Sequence, residues 1–238
     1  MSRFSLRPSN DIIVPHFDEK NMPSLPKVEI GVTVQLSLDD AMYAIDIGVK
    51  RMLANLRAKT KERKQTKRSP WEITIQGVMG ELAFHRLFNM SHDLDNTECR
   101  SALNDTYDAQ VGNVVMDIKT TLSSYYNGNA PIRTPAWKRT KPPHVSVLML
   151  WTNFPQTLMD VDTVTVNETL VHAWAEKFKN LIKSSSLLPT FEFKGMVDSH
   201  TLFNSRHYNS MRCQYELEQE YLKTWEECLS TLVEKKKG

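Results

Sequence analysis

The sequence predicts a mixed α/β fold, a central β-sheet with helices packed on it, its core elements running helix, strand, strand, strand, helix, strand. Three observations carry this. A capped helical segment opens at Ser69-Pro70, two strand-like runs flank Gly112-Asn113, and a near-continuous apolar run over residues 145–151 precedes a second capped segment at Asn167.

Ahead of that core, residues 1–36 hold four prolines (Pro8, Pro15, Pro23 and Pro26) and little periodicity. They read as an extended arm with short strands near 11–14 and 29–35. Ser37 with Asp40 three residues on forms a capping signal. Ala41, Ile45, Gly48, Val49, Met52, Leu53 and Leu56 follow at helical spacing, so a long helix is expected from Leu38 to about Lys64. Its second half is basic all round and belongs in solvent or on a partner. The chain thus divides into an arm with a long basic helix (1–69) and a core with a C-terminal helix (70–238).

Ser69-Pro70-Trp71-Glu72 combines a capping serine, a proline at the first helical position and a glutamate that closes the box. The helix should end near Met90, with Ile73, Gly77, Gly80, Phe84, Leu87 and Phe88 on one face. Residues 107–111 and 114–121 read as strands joined by a two-residue hairpin turn. Residues 122–143, with Asn127-Gly128, Pro131, Pro135 and Pro142-Pro143, read as a long loop of the kind that is functional or disordered. The 145–151 run suits a central strand buried on both faces. A further strand is expected near 158–166, a helix from Asn167, a strand over 191–197, an irregular stretch, and a last helix marked by Leu217, Tyr221, Trp225, Cys228, Leu229 and Leu232.

At 238 residues with 40% hydrophobic content, the chain can bury a core without staples. Cys99, Cys213 and Cys228 make no zinc spacing and no even disulfide set, which points to reduced thiols. No apolar run is long enough for a membrane span, and the first ten residues lack a signal core. A cytoplasmic protein, of a prokaryote or a virus-infected host, is expected. Net charge is only +2, yet residues 50–68 carry nine cations against Glu62 alone. Residues 119–159 carry five more (Lys119, Arg133, Lys138, Arg139, Lys141) and no acid, with Tyr125, Tyr126 and Trp137 among them. Basic charge with interleaved aromatics suits phosphate contact and base stacking. Nucleic acid is the partner this predicts, through Arg57, Lys59, Lys61, Arg63, Lys64, Lys67 and Arg68 on one stretch and Arg133, Lys138, Arg139 and Lys141 on the other.

The hairpin defines a site. A turn at 112–113 pairs Val111 with Val114, and counting outward sets Asp108 opposite Asp117. Opposed carboxylates are destabilising unless neutralised, and a hard divalent cation such as Mg²⁺ or Mn²⁺ does that. Alternation puts Asp117 and Lys119 on one face, with Val114, Met116, Ile118 and Thr120 on the core face. Glu81 falls on the apolar face of its helix, where a carboxylate needs a partner. His85 reads as a helix-surface histidine, and His200 and His207 as solvent-exposed.

The segments Gly77-Val78-Met79-Gly80-Glu81-Leu82-Ala83, Tyr107-Asp108 and Asp117-Ile118-Lys119, with Phe191-Glu192-Phe193-Lys194-Gly195-Met196-Val197 as a late core strand, resemble the PD-(D/E)XK (restriction-endonuclease-like) nuclease superfamily. Tyr107 stands where that pattern has proline. The resemblance implies an αβββαβ core and a Mg²⁺-dependent phosphodiesterase, with Mn²⁺ as a substitute ion. It implies that Asp108, Asp117 and the Ile118 carbonyl contact the metal, that Glu81 is an accessory ligand or a water contact, and that Lys119 positions the attacking water. A DNA endonuclease, with a homodimer as one route to cutting both strands, is the first expectation. RNA, branched-DNA or single-strand cleavage by the same fold, or a non-catalytic nucleic-acid-binding subunit, are the alternatives.

Overall fold

The computed structural model describes residues 25–57, 70–91, 107–124, 126–155, 166–185 and 187–236. After β1 (Thr33–Gln35), Ser37 starts the first helix as its spacing predicts. Its hydroxyl accepts the Asp40 N–H at 3.0 Å, and the Asp40 carboxylate accepts the Ser37 N–H at 3.3 Å. Helices α1 (Leu38–Arg57) and α2 (Pro70–Leu87) lead into the hairpin β2 (Ala109–Val111) and β3 (Val114–Leu122). There follow β4 (Ile132–Pro135), β5 (Val145–Trp151), α3 (Glu168–Ser185), β6 (Thr190–Asp198), the short α4 (Ser199–Leu202), β7 (Tyr208–Asn209), β8 (Gln214–Leu217) and α5 (Trp225–Lys236). The Asn167 side chain caps α3 by accepting the Leu170 N–H at 2.9 Å.

The fold is mixed α/β. A five-stranded sheet has the order β1-β6-β5-β3-β2, and a separate three-stranded sheet has the order β4-β8-β7. β3 and β5 run parallel; the other pairs in the main sheet are antiparallel. Alternation sorts the two faces. Met116, Ile118 and Leu122 of β3 and Val145, Val147, Met149 and Trp151 of β5 join the main core with α1, α2 and α3. Leu148 and Val197 face the other way and pack with Ile132, Leu202, Phe203, Tyr215 and Leu217 of the small-sheet side.

Helix α2 is buried nearly all round, so it is wedged between neighbours and does not carry a single core face. Gly80 makes this possible: a Cβ there would overlap the Thr120 side chain on β3. Gly195, at φ +114°, sits where β5 and β6 slip register between Leu148 and Met149. A Cβ there would lie 2.8 Å from the Leu222 Cβ.

Several expectations need correction. The 122–143 segment is not an unstructured loop. Ile132 and Thr134 turn inward from β4, and a 3-10 turn spans Ala136–Thr140. The flanking Pro131 and Pro135 masked the strand, since proline suits only an edge, which β4 is. The irregular stretch after 197 holds α4, β7 and β8. The arm strand near 29–35 shortens to Thr33–Gln35. Of the expected basic second half of α1, the structure describes only residues 51–57, which carry Arg51 and Arg57. Its expected basic continuation, the arm strand near 11–14, the Ser69 cap and most of the 158–166 strand lie outside the described residues.

Candidate functional site

The site grows from the hairpin. The observed register is the one counted from the turn, with Val111 opposite Val114, Gln110 opposite Val115 and Ala109 opposite Met116. It stops one step short of the acids. The Asp108 N–H donates to the Met116 carbonyl at 3.0 Å, and the Ile118 N–H donates to the Asp108 Oδ2 at 2.8 Å. The Asp108 side chain therefore takes the place of a backbone acceptor at the end of β2, and the two aspartates are not a ladder pair. The Ile118 carbonyl leaves β3 on the same edge as its N–H, beyond the end of β2.

Asp117 points to the small-sheet face, beside Ser146 of β5 and Val197 of β6 in the same row. Its side chain is 3% exposed, and two ammonium groups hold it. Lys119 Nζ lies 2.6 Å from Oδ2 and Lys138 Nζ 2.6 Å from Oδ1. Burial alone would raise the Asp117 pKa. The charges of Lys119 and then Lys138, with their hydrogen bonds, outweigh it and hold the carboxyl down at about 2.

Asp108 behaves oppositely. Burial, then the negative charges of Glu81 and Asp117, push its pKa well above the usual range despite Lys119 and Lys138. Glu81, 6% exposed, is gripped by Arg51 through two parallel bonds of 2.8 Å. The arginine comes from α1, on the helical side of the sheet. The acids thus fall into two ion-paired groups, Glu81–Arg51 and Asp117–Lys119–Lys138. Asp108, where the edge strand gives out, feels both.

His85 corrects the expectation of a surface residue. It is 6% exposed, with Nδ1 3.0 Å from the Ser91 carbonyl and Nε2 3.4 Å from the Asp108 carbonyl. It belongs to the buried frame that positions the start of the hairpin. His207 stays partly exposed beside Arg206.

The predicted nucleic-acid contacts scatter. Lys59, Lys61, Arg63, Lys64, Lys67 and Arg68 lie outside the described residues. Arg57 is exposed and meets Glu168 at 3.4 Å. Arg133 stacks 4.7 Å from the Tyr126 ring centre, donates to its hydroxyl at 2.6 Å and meets Glu216 at 3.6 Å. Arg139 is half-buried, and Lys141 is exposed above the Tyr107 ring. Lys138 is drawn inward to Asp117. Arg51 stands among the cations of the expected basic helix, next to Lys50, and that setting gives no sign of its inward course to the site. His144 was missed too: it is 1% exposed, and its Nδ1 accepts the Val115 N–H at 3.0 Å where β3 meets β5.

Residues 26–169 match the Family of unknown function (DUF5843). The chain belongs to that family. The DUF5843 match takes in Arg51, Glu81, Asp108, Asp117, Lys119 and Lys138, and stops short of β6 and the strands that complete the small sheet. No curated protein and no solved structure matches the chain. Among the described residues, no helix is long and apolar enough to cross a membrane.

Among the described residues, no group of three or more His, Cys, Asp or Glu side chains is arranged to hold a metal ion. Glu81 explains part of this, since Arg51 takes both its oxygens. A smaller donor set is present: the Asp108 and Asp117 carboxylates and the Ile118 carbonyl, all hard oxygens. Beside Asp117, the Ser146 hydroxyl is fully buried and has no hydrogen-bond partner among the described residues. A buried oxygen of that kind calls for a water or a cation next to it. By type these hard oxygens suit a hydrated Mg²⁺ or Mn²⁺, while Lys119 and Lys138 sit against the two Asp117 oxygens.

Proposed function

We propose that the protein is a Mg²⁺-dependent nuclease that hydrolyses phosphodiester bonds, DNA first among its substrates. The observation that carries this reading is the convergence of Asp108 and Asp117 on Lys119 at the open end of the hairpin. With β4 and the turn after it set aside as an insertion, the element order α2, β2, β3, β5, α3, β6 supports the αβββαβ core that the PD-(D/E)XK resemblance implies. Asp108, Asp117 and the Ile118 carbonyl would hold the ion, which supplies a water of lowered pKa and neutralises charge on the phosphate. Lys119 sits on the same face as Asp117 and orients that water or the phosphate oxygen. Arg51 holds Glu81 in place behind Asp108, so Glu81 acts on the site through its charge.

The expected result is nicking or linearisation of supercoiled plasmid in Mg²⁺ or Mn²⁺, none in EDTA, and a loss of about 10³-fold or more in Asp117→Asn, the size of effect seen when a group stabilising transition-state charge is removed. Closed single-stranded circles run beside the plasmid separate endonuclease from end-dependent action. Absence of cleavage of circles, linear DNA and RNA in every metal, with salt-sensitive binding retained, overturns the reading and leaves a nucleic-acid-binding subunit.

A further inference from the structure

Strand alternation supplies one cation to Asp117; the second comes from elsewhere. Lys119 is tied to the backbone of β3 two residues along. Lys138 rides the 3-10 turn Ala136–Thr140, after the proline that ends β4 and before Pro142-Pro143. The Thr140 hydroxyl donates to the Trp137 carbonyl at 2.8 Å and braces that turn. The Lys138 side chain is 16% exposed, with Nζ 5.7 Å from the centre of the Trp137 ring.

Each Asp117 oxygen has an ammonium at 2.6 Å, so a metal ion that reaches this carboxylate must share an oxygen with one of them or displace it. Two monovalent charges at that distance also repel an incoming divalent one. We infer that Lys138 is the resident counter-ion of Asp117, displaced when a divalent cation binds there and then turned to the substrate phosphate; this rests on the nuclease reading above. Lys138 is the cation to move, because its turn is separate from the strand that carries the acid. Lys141, the residue after this turn, is exposed, while Arg139 within it is half-buried with its Nε shielded, so a released ammonium joins one exposed cation suited to an anionic backbone. Ser146, in the row beside Asp117, supplies the buried oxygen that the same space would otherwise leave without a partner.

The test is Mn²⁺ binding without nucleic acid, read by the electron paramagnetic resonance of free Mn²⁺. The proteins are the full chain, Lys138→Met, Lys138→Gln, Lys138→Arg and Asp117→Asn. Removal of the competing charge should tighten Mn²⁺ binding about tenfold or more in both uncharged variants. Lys138→Arg should bind as the parent does, and Asp117→Asn should lose the site. The uncharged variants should also fill at lower Mn²⁺ and yet bind duplex DNA more weakly in Ca²⁺. Mn²⁺ affinity unchanged or weakened in Lys138→Met and Lys138→Gln, with Asp117→Asn still abolishing it, overturns this inference and leaves the nuclease reading standing. No Mn²⁺ binding by the parent or by either uncharged variant overturns both.

Discussion

Two aspartates close together in the fold answer to pH in opposite directions. Asp117, held at about 2 by its lysines, contributes stability that is present above the unfolded carboxyl value of about 4 and is lost as pH falls toward 2. Asp108, raised by burial and by Glu81 and Asp117, keeps its proton in the folded chain where the unfolded chain has lost it. Its contribution is therefore favourable at low pH and is lost as pH rises from about 4 through its folded value. Asp108→Asn should raise the melting temperature at pH 7 by about 2–5 °C, with the gain shrinking toward zero at pH 4. Calorimetry at the two values checks it, and a lower melting temperature than the parent at pH 7 contradicts it. The residue pattern made Asp117, Lys119 and their shared face legible, because a period of two leaves no freedom once the turn is known. It did not reveal the last step at Asp108, where the chain leaves the ladder and a carboxylate replaces a carbonyl. Nor could spacing reveal Lys138 or Arg51, whose roles depend on contacts 21 and 30 residues away in the chain.

At the level of elements, α1 and α2 are joined by a buried ion pair as well as by apolar packing. Loss of either partner strands a charge. Arg51→Met and Glu81→Met should each cost about 3–5 kcal/mol, while the double variant should recover most of that loss. Urea denaturation of the four proteins measures the cycle, and a double variant that merely sums the two single losses denies the coupling. Helices α1, α2 and α3, the hairpin and the central β5 were legible, because capping residues, Gly112-Asn113 and an unbroken apolar run each have a local cause. In the sequence the last helix reads from Leu217, which belongs to β8; it begins at Trp225. β4, β7 and β8 were not legible. They span four, two and four residues; β4 owes its pairing to a distant partner, Ile132 to Leu217, and β7 pairs with β8 through a short local return, Tyr208 to Tyr215. Strands this short carry almost no local signal, and in β4 the prolines weaken it further.

For the whole molecule, charge is divided between a core that pairs its ions and a stretch whose cations outnumber its acids. If residues 58–69 carry the nucleic-acid contacts, the salt dependence of binding should come mostly from there. Replacement of Lys59, Lys61, Arg63, Lys64, Lys67 and Arg68 by Gln should reduce the slope of log K against log salt by about 5 on duplex DNA in EDTA. Fluorescence anisotropy over a salt series reads this directly, and an unchanged slope removes the stretch from the interface. The small sheet has a different consequence, one of timing. The Lys138 turn follows directly on β4, and β4 finds its partner only in β8, roughly eighty residues downstream. A chain still on the ribosome has made Asp108, Asp117 and Lys119 several seconds before it can clamp that turn. In the growing polypeptide the acids therefore await their second lysine until the C-terminal third has emerged, and a chain cut short before residue 214 would keep the acids without the strand that secures their partner.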